Sequence, residues 1–229
     1  ASAGRITAVL PYYPYSLADS KDEPRISVAG RLIADLLAEA GADRILTMTL
    51  HSPQIMGFCR FPVDQLSGVP TICRHFSRLD LDNCVAAAPD ISRAKVTEGY
   101  AKRLGLPLVV IDQHPLGRIH GVIGEVEGRD VILFDDEVVT GDSMIDGAAA
   151  LRSRGARDIH AGCVHGTLAN GALQRIQESV LSSLAVTDTI PQESARRKNP
   201  KLNVCSVAKH FADAIKAIHE ETSISSLFN

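Results

Sequence analysis

The sequence predicts an α/β protein with parallel sheets, and three observations predict it. Short apolar runs alternate with segments of helical periodicity along the chain. The first three segments, strand, helix and strand, make a βαβ unit, which normally crosses over right-handed onto a parallel sheet. The run Val131-Ile132-Leu133-Phe134 is apolar at every position, as a central strand covered on both faces requires.

Arg5 to Leu10 reads as a strand that ends at Pro11. Tyr12 to Arg25 is polar and proline-flanked, a loop. Ile26 to Ala40 places Val28, Leu32, Ile33, Leu36 and Leu37 at helical spacing, with Gly41 as C-cap. Arg44 to Leu50 is the second strand. A weak boundary follows at Phe61-Pro62-Val63-Asp64. Cys84 to Ala88 is a strand, Ser92 to Leu104 a helix and Leu108 to Ile111 a strand. Val122 to Val126 and Val131 to Phe134 flank a Glu127-Gly128-Arg129 turn. Ser143 to Arg154 is a helix closed by Gly155, and Ile159 to Val164 a strand. Ala172 to Glu178 is a short helix, Leu184 to Thr187 a strand and Val207 to Glu220 the final helix.

A chain of 229 residues is long enough for one large domain or two small ones with real cores. A net charge of −3 gives no reason to propose nucleic acid or a membrane surface as partner. No apolar run reaches the roughly eighteen residues that span a bilayer. Ala1-Ser2-Ala3-Gly4 does not read as a signal peptide. Five cysteines, odd in number and without a CxxC pair, argue against a disulfide framework or structural zinc and for a reducing, cytoplasmic setting. The absence of Trp and the few aromatics argue against a base-stacking surface.

The chemistry concentrates where Val131–Phe134 runs into Asp135-Asp136-Glu137-Val138-Val139-Thr140-Gly141-Asp142-Ser143. Ligands bind at the carboxyl ends of parallel strands, and helix N-termini favour phosphate. Asp135 or Asp136 can accept hydrogen bonds from sugar hydroxyls, while Thr140, Gly141 and Ser143 can hold a phosphate. The layout suits a ribose 5-phosphate; the bland alternative is a solvated polar strand end. Asp142 pulls both ways. As N-cap of the following helix it is worth about 1 kcal/mol. Beside a phosphate about 4 Å away, at an effective dielectric near 20, its repulsion is on the order of 4 kcal/mol per unit charge. Its side chain must swing away, a cation must bridge it, or the phosphate binds weakly.

His51 ends the second strand and can meet a metal or a phosphate, or be structural. Asp90 follows a strand and precedes a helix, so it can hold Mg²⁺ with phosphate oxygens or serve as a cap. Lys95, on that helix's first turns, can reach an anion or be solvated. In the loop Asp112 to Gly121, Arg118, His114 and His120 can meet phosphates, or form a surface hairpin. There is no Walker A sequence and no Rossmann glycine fingerprint.

These motifs, in this order, resemble the ribose-phosphate pyrophosphokinase family. The likeness runs from Ile6–Tyr15 through Thr47–Phe58, the Asp135-Asp136 loop and Thr187-Asp188-Thr189-Ile190-Pro191-Gln192 to Ser223–Phe228. It implies two phosphoribosyltransferase-like α/β domains with parallel sheets, the first incomplete. One takes residues 1–64, with the helix of about 207–229 returning to it. The other takes residues 65–206 and carries the ribose 5-phosphate loop. It also implies Mg²⁺, ATP as co-substrate, and transfer of a pyrophosphoryl group to the ribose 1-hydroxyl. Assembly would be as a homo-oligomer, or as a hetero-oligomer with a synthetase subunit. By the same resemblance His51 lies near the ATP phosphates and metal, Asp90 contacts Mg²⁺ or sugar, and Asp19 belongs to the ATP-side loop; Lys95, from its place on the helix, is taken with the cofactor-binding residues. Asp135, Asp136, Thr140, Gly141 and Ser143, with Asp142 among them, form the sugar-phosphate loop.

The departures are lopsided. Thr49 stands where the family has a metal-binding Asp, and Leu17-Ala18 where an Arg-Gln pair touches ATP. Val139 replaces an Asp and Asp142 a Gly of the sugar loop. Gln113 and Pro115 fall where a flexible loop carries Lys and Arg, leaving Arg118 and His114 to take over their catalytic work. Losing one such charge-stabilising donor typically costs about a hundredfold or more in rate. The family also has a further N-terminal segment, after which this chain begins. Two other readings follow: a non-catalytic paralogue acting through a partner subunit, and altered chemistry on the same scaffold, such as a phosphoribosyltransferase.

Overall fold

The computed structural model describes residues 3–21, 25–113, 119–169, 171–192, 195 and 198–224. It is α/β with parallel sheets, and the chain divides into two compact units, Ala1–Ser67 with His210–Asn229, and Gly68–Lys209. Among the described residues no helix is long and apolar enough to cross a membrane.

The first unit holds a parallel sheet in the order β1 (Thr7–Leu10), β2 (Arg44–Met48), β3 (Val63–Leu66). Helix α1 (Ala29–Glu39) is the expected crossover between β1 and β2. The Tyr13 hydroxyl donates to the Gly30 carbonyl at 2.9 Å, and its ring packs with Ile45, Leu50 and Ile55. Strand β3 escapes periodicity because two of its four residues are polar. It is placed by its register on β2 and by the Arg44–Asp64 ion pair. A 3-10 helix, Pro53–Phe58, lies between β2 and β3. From the chain's other end, the Ile218 carbonyl accepts Arg5 Nη2 at 2.9 Å, a cation meeting one of the last carbonyls of a helix.

The second unit is built on β4 (Cys84–Ala88), β5 (Leu108–Gln113), β6 (Ile119–Ile123), β7 (Asp130–Val138), β8 (Ile159–Gly166), β9 (Ser183–Thr187) and β10 (Leu202–Cys205). Their order in the sheet is β10-β9-β8-β7-β4-β5-β6. From β4 the chain builds outward to β5 and β6, then returns to the other side of β4 and builds outward again from β7. The order therefore reverses between β4 and β7, and the crevice beyond their carboxyl ends is the ligand position of such sheets.

Helices α2 (Val69–Phe76) and α3 (Ala94–Leu104) cover one face; α4 (Asp142–Ser153) and α5 (Ala172–Glu178) cover the other. Strand alternation sends Ile132 and Phe134 toward Ile72, Phe76 and Tyr100, and Val131 and Leu133 toward Met144, Ala148 and Leu151. Phe134 stacks on Tyr100 at 4.3 Å and meets Phe76 edge-on at 5.8 Å. The last helix, α6 (Ala208–His219), completes the described elements.

Two expectations are corrected, and two elements besides β3 are added. The segment expected as a strand from Val122 to Val126 lies earlier, as β6, and pairs antiparallel with β5, because Gly124 at φ +112° breaks the extended chain. Helix α2 and strand β10 are absent from the sequence reading: one is eight residues long with Pro70 at its start, the other only four. Finally, β7 does not stop at Phe134. Its pairing with β4 ends at Leu133, but β8 continues it through Asp135↔Cys163, Glu137↔His165 and Val138↔Gly166. Both aspartates thus lie in a strand paired on one side, past the end of β4.

On β8, Gly162 faces the aromatic cluster so closely that a Cβ would stand 2.7 Å from Phe76 Cε2 and 2.9 Å from Ile72 Cγ2. Overpacking of this kind costs about 1–3 kcal/mol. Gly162→Ala should therefore lower the melting temperature by several degrees, at about 2–4 °C per kcal/mol, in a calorimetric scan.

Candidate functional site

Asp135 and Asp136 sit at the switch point, and the group that answers them comes from the turn after β4. Arg93 Nη2 lies 3.2 Å from the Asp136 carboxylate, and Arg93 Nε 4.0 Å from that of Asp135. The side chains keep 17% and 7% of their exposure, for Asp135 and Asp136 respectively. Asp135 Oδ1 also accepts the Asp136 backbone N–H at 2.8 Å. Burial pushes the Asp135 carboxyl well above the ordinary carboxylate range, and the hydrogen bond between the two side chains and the neighbour's charge push the same way; the Asp136 backbone N–H and then Arg93 oppose them. One guanidinium charge faces two carboxyls and stands nearer to Asp136 than to Asp135.

Asp90 sets the turn that delivers Arg93. Its Oδ1 accepts the Ser92 hydroxyl at 2.5 Å and the Arg93 backbone N–H at 3.0 Å. The capping role weighed for Asp90 is corrected: α3 has Arg93 at its N-cap and no side-chain cap, and Asp90 folds the turn before the helix instead, with Oδ2 outside both bonds. Lys95, two residues on, is exposed.

The loop after β7 is shaped by Gly141, at φ +83°, a conformation that L side chains rarely adopt. Helix α4 begins at Asp142 with Gly141 as its N-cap, and no side chain caps the first turn. The expected capping role of Asp142 is thus corrected: the glycine's left-handed backbone starts the helix one residue earlier. The Asp142 backbone N–H lies 3.5 Å from Thr140 Oγ1, and Ser143 is exposed beside it. The Asp142 carboxyl is held below its usual range, first by a hydrogen bond from Thr140 and then by Arg175. Arg175, on α5, reaches back with Nη1 to the Asp142 carboxylate and Nη2 to the Thr140 carbonyl. Asp142 is thus paired with a cation that comes from another helix.

Behind the loop lies a buried polar network absent from the sequence reading. His165 Nδ1 and Thr189 Oγ1 are 2.9 Å apart, the Thr187 hydroxyl donates to the Val164 carbonyl at 2.7 Å, and Thr167 donates to Glu137 at 2.6 Å. Cys163, fully buried beside Asp135, donates its thiol to the His165 carbonyl at 3.1 Å. Burial, then the charges of Asp135, Asp136 and Glu137, push that thiol well above its ordinary pKa.

In the first unit, His51 lies half-buried between β2 and the 3-10 helix. Thr49, two residues before it, stands at φ +40°, a rare conformation for a β-branched residue and one that Asp adopts more readily. The Thr47 hydroxyl is buried without a partner. Asp19 lies half-buried in the bend between β1 and α1. His114 and Arg118 fall outside the described residues, and His120 is exposed on β6. Arg93 and Arg175 carry no local sequence signal; strand order and helix packing alone bring them to the loop.

A family model described as the N-terminal domain of ribose phosphate pyrophosphokinase matches residues 1–41. One described as the phosphoribosyl synthetase-associated domain matches residues 115–229. The chain is 45% identical over 236 residues to a ribose-phosphate pyrophosphokinase of Deinococcus radiodurans, covering all of this chain and 74% of that one. A ribose-phosphate pyrophosphokinase of Clostridium acetobutylicum is 41% identical over 234 residues, with 100% and 73% covered. The crystal structure of phosphoribosylpyrophosphate synthetase from Mycobacterium smegmatis matches with a TM-score of 0.87 at 38% identity, covering 96% of this chain and 73% of that chain.

The raised Asp135 carboxyl has a measurable consequence. A folded pKa above the unfolded one contributes stability that is full below the unfolded value, near 3.9, and is lost as pH rises from there through the folded value. Denaturant titrations from pH 4 to 8 should show this loss in the wild type. Asp135→Asn should lack that part of the slope and be the more stable protein at pH 7, with the gap closing in acid.

Proposed function

This chain belongs to the ribose-phosphate pyrophosphokinase family, and on that premise we propose that it transfers the pyrophosphoryl group of MgATP to ribose 5-phosphate. The products are 5-phosphoribosyl 1-pyrophosphate and AMP. One observation carries the reading: at the switch point of the larger sheet, a carboxyl pair stands beside a glycine-opened helix start with no side-chain cap. A pentose with vicinal hydroxyls at one end and a phosphate at the other matches both parts.

Asp135 and Asp136 accept the ribose hydroxyls, with Arg93 keeping the pair tolerable. The N–H groups opening α4, with the Thr140 and Ser143 hydroxyls, hold the 5-phosphate. The ribose 1-hydroxyl oxygen attacks the β-phosphorus of ATP. A bond forms from O1 to that phosphorus, the bridge to the α-phosphate breaks, AMP leaves with the bridging oxygen, and the hydroxyl proton goes to solvent. Positioning and charge neutralisation dominate such transfers, so no strong base is required.

Mg²⁺ would neutralise the polyphosphate. Among the described residues no three His, Cys, Asp or Glu side chains gather into a metal cluster. Single carboxylates such as Asp90 fit an ion held largely by phosphates and water. His51, Asp19 and Lys95 are assigned to ATP, and His114 and Arg118 to the transferring group. Oligomer formation and a cytoplasmic setting belong to the same proposal.

A second reading, a paralogue with a weakened donor side, is favoured by Thr49, which puts a hydroxyl on a backbone shaped for a carboxylate. Phosphorus NMR of the protein with ATP, ribose 5-phosphate and Mg²⁺ separates the two. New 5-phosphoribosyl 1-pyrophosphate and AMP signals establish the synthetase reaction. Their absence, with ribose 5-phosphate still binding, points to the paralogue or to an enzyme using another donor. Thr49→Asp should relieve about 1 kcal/mol of backbone strain, seen as a higher unfolding midpoint, and lower the Mg²⁺ concentration needed for half-maximal rate.

A further inference from the structure

We propose that Arg175 is a positioning residue of the sugar-phosphate loop: by cancelling the charge of Asp142 it lets a loop that carries its own carboxylate accept a dianionic phosphate monoester. This deepens the ribose 5-phosphate reading and rests on it.

The argument begins with the charges at the start of α4. The helix N-terminus supplies the equivalent of roughly half a positive charge. Asp142, the first residue of that helix, supplies a full negative one. Together they leave the loop net negative, and a phosphate would be repelled. Arg175 restores the sign. It comes from another helix, 33 residues along the chain from Asp142, and pairs with it directly. The sum of dipole, carboxylate and guanidinium is again positive by about half a charge.

The geometry adds a second effect. The same guanidinium donates through Nη2 to the Thr140 carbonyl, so it ties together both ends of the Thr140-Gly141-Asp142 turn. This holds the backbone that presents the N–H groups. A planar fork can make both bonds at once, whereas an ammonium is a single point charge. Arg175 Nε is buried and has no hydrogen-bond partner. The side chain nonetheless keeps 40% exposure, so part of it remains open to solvent at the loop. The contrary view is that Asp142 and Arg175 form an ordinary surface ion pair, which contributes little to anything. Binding energetics distinguish the two, because only charge cancellation makes one substitution repair the other.

The test is calorimetric titration of ribose 5-phosphate into the wild type, Arg175→Met, Asp142→Asn and the double variant, with thermal melts of each. Arg175→Met should weaken binding at least tenfold, since it leaves Asp142 uncompensated. Asp142→Asn alone should tighten binding about twofold to fivefold, because Arg175 then acts unopposed. Adding Asp142→Asn to Arg175→Met should recover most of the loss, and Arg175→Lys should fall between wild type and Arg175→Met. Undiminished binding by Arg175→Met, or a double variant no better than Arg175→Met, overturns the proposal. If Arg175→Met does not fold, Asp142→Asn decides alone, and a tenfold loss there overturns it. A wild type that binds no ribose 5-phosphate removes the parent reading, an outcome distinct from all of these.

Discussion

Two adjacent carboxyls at the end of a strand that is walled on both faces by apolar core require a cation within reach, and the sheet order delivers one. Strand β4 stops short of β7, and the turn that follows it rises beside Asp135 and Asp136. Asp90 folds that turn by accepting the Arg93 N–H, and Arg93 then faces the pair. Remove the adjacency of β4 and β7 and the carboxyls lose their partner. The position of the candidate site, the burial of its acids and the shape of the turn all follow from that one arrangement. The raised pKa of the Asp135 carboxyl follows from it, first through burial and then through the acidic neighbour, with a single guanidinium set against the pair.

The two units differ in how their awkward residues are accommodated. In the larger unit the carboxylate of Asp142, beside the glycine-opened start of α4, has a guanidinium against it. In the smaller one, Thr49 stands at φ +40°, a conformation that Asp adopts more readily than a β-branched residue. Asp142, exposed at the start of α4, is paired with Arg175, whereas Thr49, half-buried just past β2, keeps a strained backbone.

Periodicity made much of the fold legible. The βαβ unit, the central apolar strand and the helices from residue 94 and from residue 142 all announce themselves through apolar spacing, because each buries a continuous face. What periodicity missed is short or mixed. Strand β3 is half polar, α2 opens on a proline, and β10 has four residues. The aspartates and the Thr-Gly turn were legible as a local pattern. Arg93, Arg175 and the His165–Thr189 network were not, since their roles are created by strand order across 24 or more residues of chain, or by a turn whose neighbour the sequence does not name.

The burial of Cys163 has a kinetic meaning. Its sulfur lies in register beside Asp135, and burial first, then three acidic neighbours, disfavour its thiolate. Thiol reagents and oxidants attack the thiolate, and only where they can reach it. While the sheet is closed the sulfur is silent; it becomes reactive when β7 and β8 part. Modification of this one atom is therefore a clock for the opening of the strand that bears the carboxyl pair. A ligand that clamps the strand ends would slow it, whatever the ligand's own chemistry.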